Sequence, residues 1–120
     1  MNIKDMDIWK KSIEFVVKIY QITSDYPSEE KFGIINQMRR AAVSVSSNLV
    51  EGSARHSDKD FLRFLYISLG SIAEVDTQII ISQKLNYISQ EQLENISRDV
   101  TNLKKMYLGL IKYLKEKPAI

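Results

Sequence analysis

The 120-residue sequence contains no cysteine, two prolines, four glycines and one histidine. The absence of cysteine excludes disulfide bonds and thiolate chemistry. One histidine supplies too few ligands for a zinc site or for the paired Glu-x-x-His motifs of di-iron bundles, so no metal or cofactor is expected. Because prolines and glycines are rare, the chain has few break points, which favours long helices over a sheet. The glycines are also scattered, so there is no glycine-rich phosphate loop.

Long hydrophobic runs and a strong charge bias are also missing. No stretch approaches the ~18 uninterrupted apolar residues of a membrane span, and the first residues, MNIKDMDIWKK, lack the apolar run of a signal peptide. With no cysteine, this composition predicts a cytoplasmic protein without a membrane partner. The net charge of +2 is too small to identify a nucleic-acid-binding protein by itself. The length suits one domain, residues 1–120, with a substantial core.

What the chain does contain is apolar residues at helical spacing along four segments. The predicted helices run from a cap at Asp5 or Asp7 to about Ser24, from Ile34 to Glu51, from Asp58 to Lys84, and from Ser89 to the residue before Pro118. Ser57 and Ser89 begin capping motifs, whereas Gly52 is predicted to stop the second helix. Four helices with short connections predict an all-α, antiparallel up-down-up-down four-helix bundle.

The third and fourth helices differ in their apolar pattern. The fourth carries an unbroken heptad, made of Leu93, Ile96, Val100, Leu103, Tyr107, Leu110 and Leu114. The third is apolar around nearly its whole circumference, and such a helix must be buried on more than one side. Because the other three helices would not cover it, the sequence predicts a homo-oligomer with an interface that includes the third helix.

A polar stripe lies beside the apolar face of the second helix, and a polar line on the third helix would face it. Their members are Gln37, Arg40, Ser44, Asn48, Glu51, Glu74 and Gln78. Ser and Asn disfavour the middle of an exposed helix because they compete for backbone hydrogen bonds. Two interpretations stay open: a solvated face, or an internal hydrogen-bonded seam in which Arg40 and Glu74 form a partly buried ion pair.

Basic residues gather near the predicted junction of the second and third helices. They are Arg39, Arg55, His56, Lys59 and Arg63. These residues are candidate phosphate ligands, and few aromatic residues accompany them, so stacking on unpaired bases is expected to be secondary. Residues 98–117 carry six bases and two acids, which we interpret as a solvated lysine face at a helix C-terminus. No spacing of nucleophile, base and acid indicates catalysis, so no enzyme is predicted.

Several motifs stand in an order that is typical of one protein family. They are Trp9, Pro27, Glu30-Lys31-Phe32-Gly33, Gln37-Met38-Arg39-Arg40-Ala41, Ser44, Asn48, Glu51-Gly52, Arg55 and Gly70-Ser71-Ile72-Ala73-Glu74. The chain thereby resembles the bacterial four-helix-bundle family of proteins encoded in intervening sequences of 23S ribosomal RNA genes. That family in turn resembles the accessory protein of diversity-generating retroelements, a homopentameric bundle that binds nucleic acid. The resemblance implies a homopentamer and a nucleic-acid partner.

Two functions are therefore carried forward. The first is a non-catalytic oligomer that binds nucleic acid through the basic residues, with RNA as the expected target. The alternative is a scaffold that binds a protein partner with its apolar third helix and polar stripe, without nucleic acid. Phosphate contacts weaken with salt whereas an apolar groove does not, so salt dependence separates the two functions.

Overall fold

The computed structural model describes residues 2–118, which form four long helices packed side by side. The helices are α1 (Asp7–Thr23), α2 (Ile34–Ser53), α3 (Asp58–Lys84) and α4 (Gln90–Glu116). Two 3-10 turns, Ile3–Asp5 and Ser28–Glu30, precede α1 and α2, and the described residues include no strand. The bundle measures 53 × 24 × 21 Å. The predicted all-α, antiparallel four-helix bundle is confirmed.

The core follows the apolar periodicity of each helix. The predicted heptad of α4 faces inward, with five of its seven members buried: Ile96, Val100, Leu103, Tyr107 and Leu114. The helices do not pack equally: among the four neighbouring pairs, α2 and α3 make the most extensive contact and α1 and α4 the least extensive. The close approach of α2 to its neighbours uses the small side chains of Ala41, Ala42 and Ser46, which are all buried.

Gly52 has a different role from the one predicted. Instead of stopping α2 at Glu51, it lies within the helix, which continues to Ser53. A Cβ atom on Gly52 would lie 2.8 Å from Phe64 Cβ and 2.9 Å from Phe61 Cδ1. Gly52 therefore lets the start of α3 cross the end of α2 at short range. The predicted stop is wrong because local sequence does not distinguish a terminating glycine from one required by a packed neighbour.

The helix starts are partly as predicted. Ser57 Oγ accepts a hydrogen bond from the Asp60 backbone N–H at 3.2 Å, and Ser89 forms a reciprocal capping box with Gln92. The predicted Asp5 or Asp7 cap of α1 is wrong, because its N-cap residue is Met6, which makes no side-chain capping bond. A 3-10 turn that begins after Asn2 occupies the chain up to Asp5 and moves the start of α1 beyond it.

One polar cluster lies in the centre of the bundle and connects all four helices. The hydroxyl of Tyr107 on α4 lies 2.6 Å from Ser12 Oγ on α1 and 3.2 Å from the Val45 carbonyl oxygen on α2. Ser68 on α3 donates to the same Val45 carbonyl at 2.8 Å. Burial raises the pKa of Tyr107 to about 12, because the ionised phenolate would be poorly solvated there.

By length and composition alone, α3 could cross a membrane, since its most apolar 18-residue window has a mean hydropathy of 1.4. Of that window, 44% is buried inside the bundle, and the core helix of a water-soluble protein passes the same test. The outer face of α3 remains open to solvent. It carries four large apolar side chains that are 42–46% exposed, Tyr66, Ile67, Ile80 and Ile81.

Candidate nucleic-acid interface

The end of α2 and the start of α3 bring four of the five predicted basic residues together. Arg55, His56, Lys59 and Arg63 are all exposed there, and we call this set the junction patch. The Cζ atoms of Arg55 and Arg63 lie 4.8 and 4.5 Å from the centroid of the Phe64 ring. One aromatic ring therefore contacts two guanidinium groups, each within 5 Å of its centroid.

Carboxylates lie close to the same cations. Arg55 Nη2 lies 2.9 Å from Glu51 Oε1, and Arg63 Nε lies 3.9 Å from Asp60 Oδ1. Segment 51–63 contains three acidic residues and three arginine or lysine residues, so its charges balance when His56 is neutral. Both ion pairs are about half exposed, and exposed pairs contribute only about 0–1 kcal/mol. A phosphate group could therefore displace either carboxylate at small cost.

Arg39, the fifth predicted residue, lies elsewhere on the molecule. It precedes the end of α2 by more than three turns, roughly 20 Å along the helix axis. Its Nε donates to Thr23 Oγ1 at 2.9 Å and its Nη2 donates to the Tyr20 carbonyl at 3.2 Å. Arg39 thus donates a hydrogen bond to a backbone carbonyl in the last turn of α1. The prediction that it lies at the junction is wrong, because the helical rise separates residues that are only moderately distant in sequence.

The predicted seam between α2 and α3 forms around Ser44. Asn48 Nδ2 donates to the Ser44 carbonyl at 2.8 Å and to Ser44 Oγ at 3.0 Å. Ser71 Oγ donates across the interface to the same Ser44 Oγ at 2.8 Å. The middle of the stripe is therefore an internal hydrogen-bonded contact, as the seam interpretation requires.

The charged members of the stripe do not complete the seam. Gln37, Arg40 and Glu74 are exposed, and among residues 2–118 no ion pair within 4 Å joins Arg40 to Glu74. The predicted partly buried ion pair between Arg40 and Glu74 is wrong, because both side chains lie at the solvent edge of the α2–α3 contact. Glu51, another member of the stripe, pairs with Arg55.

An open groove of about 340 Å³ separates these charged side chains. Its lining comprises Asn36, Gln37, Arg40, Ala41, Ser44, Ser71, Glu74 and Gln78. Gln78 is only 9% exposed, and its Oε1 accepts no hydrogen bond from the described residues. This part of the stripe therefore contains a buried acceptor without a hydrogen-bond donor among the described residues.

Sequence analysis missed a second cationic surface, which lies between α1 and α2. Lys31, Phe32, Arg39 and Arg40 line a groove there, with Tyr20 on the α1 side. In sequence, Phe32 resembles any core phenylalanine near a helix start, and only its exposure in the structure distinguishes it.

Among residues 2–118, no group of three or more His, Cys, Asp and Glu side chains could hold a metal ion.

Comparison with known proteins identifies close similarity in both sequence and fold. The chain matches the family described as 23S rRNA-intervening sequence protein over residues 4–109. It also resembles the crystal structure of a protein with unknown function from the S23 ribosomal protein family of Bacteroides thetaiotaomicron. The two are 30% identical, with a TM-score of 0.81, and the match covers 88% of this chain and 95% of that chain. Curated proteins provide no match. Neither description states an activity.

Proposed function

This chain belongs to the 23S rRNA-intervening sequence protein family, and from this fold and its surface we propose a non-catalytic, self-associating protein that binds nucleic acid. The proposed partner is RNA, bound through backbone phosphates. The observation that carries the proposal is the pair of guanidinium groups, those of Arg55 and Arg63, that both contact the Phe64 ring in the junction patch. Guanidinium groups bind phosphate oxygens with two parallel N–H donors, so a preoriented pair suits a nucleic-acid backbone.

Self-association would make the modest charge of each chain more effective. The open apolar face of α3 contains Tyr66 and Ile67, which closely follow Arg63 of the junction patch in the same helix. Contact between copies through this face, with their α3 helices parallel, would place their junction patches near one another. Linked weak sites bind far more tightly than separate ones when one ligand spans them. The resemblance to the accessory protein of diversity-generating retroelements favours a pentamer.

The proposal is tested by filter binding to a mixed RNA pool from low to physiological salt. We expect Arg55→Ala with Lys59→Ala to lower the affinity. The slope of log affinity against log salt should fall by about 0.7 to 0.9 for each phosphate group that an engaged subunit no longer binds. The matched control is Lys105→Ala with Lys112→Ala on exposed α4 positions, which should change neither quantity.

The outcomes distinguish the site from the function. Suppose that binding is unchanged after the Arg55 and Lys59 substitutions but weaker after the Lys105 and Lys112 substitutions. This result would show that the phosphate-binding residues lie on α4 and not in the junction patch. No RNA binding by the wild type, even at low salt, would reject nucleic acid as the partner.

A protein-partner scaffold is the second candidate, and one specific observation favours it. The outer face of α3 exposes Ile80 and Ile81 near its C-terminal end, away from the junction patch. An exposed apolar helix face is the surface that a partner helix would cover. Binding to this face would persist at salt concentrations that release phosphate ligands.

A further inference from the structure

The groove between α1 and α2 collects three cations, and no carboxylate of residues 2–118 lines it. We call it the cationic groove; its volume is about 760 Å³. Its lining comprises Tyr20, Lys31, Phe32, Ile35, Asn36, Arg39, Arg40, Val43 and Ser44. Uncompensated positive charge in a concave surface concentrates anions, so this groove favours a negatively charged ligand.

The fold turns the acidic side chain that is adjacent in sequence away from this groove. Glu30 directly precedes Lys31 and Phe32, but its Oε2 accepts a hydrogen bond from the Tyr87 hydroxyl at 2.8 Å. Gly33 makes room for this arrangement, since a Cβ atom there would lie 2.6 Å from Glu30 Oε1. Glu30 is thus tied to the connection between α3 and α4, and its carboxylate does not neutralise Lys31.

The three cations differ in how firmly they are held. Arg39 is fixed by its bonds to Thr23 and to the Tyr20 carbonyl, and its Cζ lies 4.5 Å from the Tyr20 ring centroid. Arg40 and Lys31 form no ion pair with the described residues. Arg39 therefore provides a fixed positive charge, while Arg40 and Lys31 can turn toward a bound anion.

Phe32 gives the groove an aromatic surface that the bundle does not use. It is 86% exposed, the highest value among the large apolar side chains of residues 2–118. Lys31 Nζ lies 5.5 Å from its ring centroid. An exposed aromatic ring next to uncompensated cations matches the two parts of a nucleotide, because a base stacks on the ring while phosphates contact the cations.

We propose that the cationic groove binds an unpaired nucleotide of a nucleic-acid strand, with the base stacked on Phe32 and the adjacent phosphates on Arg40 and Lys31. This inference rests on the proposed nucleic-acid binding and adds a preference for single-stranded segments. A base pair inside a duplex cannot stack on Phe32, because both of its faces are already stacked on neighbouring pairs. A second copy of the chain suits the groove less well, since the outer face of α3 exposes mainly apolar side chains whereas the groove is lined by three cations.

The experiment measures fluorescence anisotropy of a labelled single-stranded RNA and of a duplex with the same sequence. We expect Phe32→Ala to weaken single-strand binding roughly 10-fold, within the range for removal of one base–aromatic stack, and to leave duplex binding unchanged. Phe32→Trp should retain single-strand affinity. Tyr113→Ala, which removes an aromatic side chain that is 61% exposed on α4, is the matched control and should have no effect.

A second variant tests the phosphate-binding side chains. Lys31→Ala with Arg40→Ala should lower single-strand affinity and reduce the salt slope by about 0.7 for each phosphate group that is no longer bound. Unchanged single-strand affinity in Phe32→Ala would overturn the inference while leaving the junction patch as the RNA site. A lower oligomer mass of Phe32→Ala in light scattering would assign Phe32 to a subunit contact and also overturn it. If the wild type binds neither RNA, the proposed function itself fails.

Discussion

Tyr107 and Ser12 form a short hydrogen bond, 2.6 Å between their hydroxyl oxygens, that connects α4 to α1 in the centre of the bundle. Ser12 Oγ also donates to the Ile8 carbonyl at 2.7 Å, and the Val45 carbonyl lies 3.2 Å from the Tyr107 hydroxyl. The hydroxyl groups of Tyr107 and Ser12 have one hydrogen each, so they can donate only two of these three hydrogen bonds at one time. The shorter distances favour donation from Tyr107 to Ser12 and from Ser12 to Ile8, with Ser68 bonding the Val45 carbonyl.

This redundancy predicts a modest effect for Tyr107→Phe. Without the phenolic oxygen, Ser12 keeps its bond to Ile8 and the Val45 carbonyl keeps its bond from Ser68. We therefore expect the free energy of unfolding to fall by roughly 0.5–1.5 kcal/mol at neutral pH, the typical net value of one hydrogen bond. Urea denaturation followed by circular dichroism measures the change. A decrease above roughly 3 kcal/mol would show that the remaining bonds do not compensate.

The raised pKa of Tyr107 predicts a decrease in stability at high pH. Its folded-state pKa of about 12 lies above the usual tyrosine value of 10.0. Because the folded state keeps Tyr107 protonated more strongly than the unfolded state does, its contribution to the free energy of unfolding is fully present below pH 10. This contribution is lost as the pH rises toward 12, and the total loss is about 2–3 kcal/mol. Tyr107→Phe should flatten the dependence of unfolding free energy on pH in this window. Tyr113→Phe, at an exposed position, is the control and should follow the wild type.

Gly52 should resist replacement by alanine. The added Cβ would lie within 3 Å of Phe64 and Phe61, so α3 would have to shift. We expect Gly52→Ala to destabilise the protein by about 1–3 kcal/mol, typical of overpacking. Gly109→Ala is the matched control, because no atom beyond its chain neighbours and the backbone of its own helix lies within 4 Å of the added Cβ, and it should stabilise α4 by up to about 1 kcal/mol. Equal effects of the two substitutions in thermal unfolding would contradict this packing role.

Arg40 and Glu74 should act independently of each other within one chain. Both are exposed and no ion pair joins them, so Arg40→Met and Glu74→Leu should each change stability by less than about 1 kcal/mol. The double variant should equal the sum of the two single variants within about 0.5 kcal/mol. A coupling energy well above that limit in the double-mutant cycle would mean that the two charges interact after all.

The outer face of α3 should control self-association. Ile80 is 44% exposed on this face, and a glutamate there would place a charge in an apolar contact. We expect Ile80→Glu to shift the mass measured by light scattering from an oligomer toward the 13.9 kDa chain. Leu108→Glu changes an equally exposed residue on α4 and should leave the oligomer intact. A wild type that is monomeric at micromolar concentration would exclude self-association through any face.

The sequence by itself determined the features that depend on local periodicity and local hydrogen bonding. The α4 heptad identified the buried face because residues three and four apart lie on one side of a helix. Ser57 and Ser89 identified helix starts because a cap bonds to backbone groups within three residues. These features, with the order of the motifs, were enough to identify the four-helix bundle.

Only the tertiary structure decided what depends on the distance between helices. A glycine at position 52, after a helical pattern, is typical of a helix end, but the approach of Phe61 and Phe64 gives Gly52 a packing role. Arg39 belongs to a basic cluster in sequence, yet the length of α2 and the end of α1 give it a different position. Phe32 looks like a core residue, and its exposure follows from how the turn before α2 meets the bundle. Periodicity determines the direction of a side chain from its helix axis, whereas its neighbours, burial and charge partners depend on where the other helices lie.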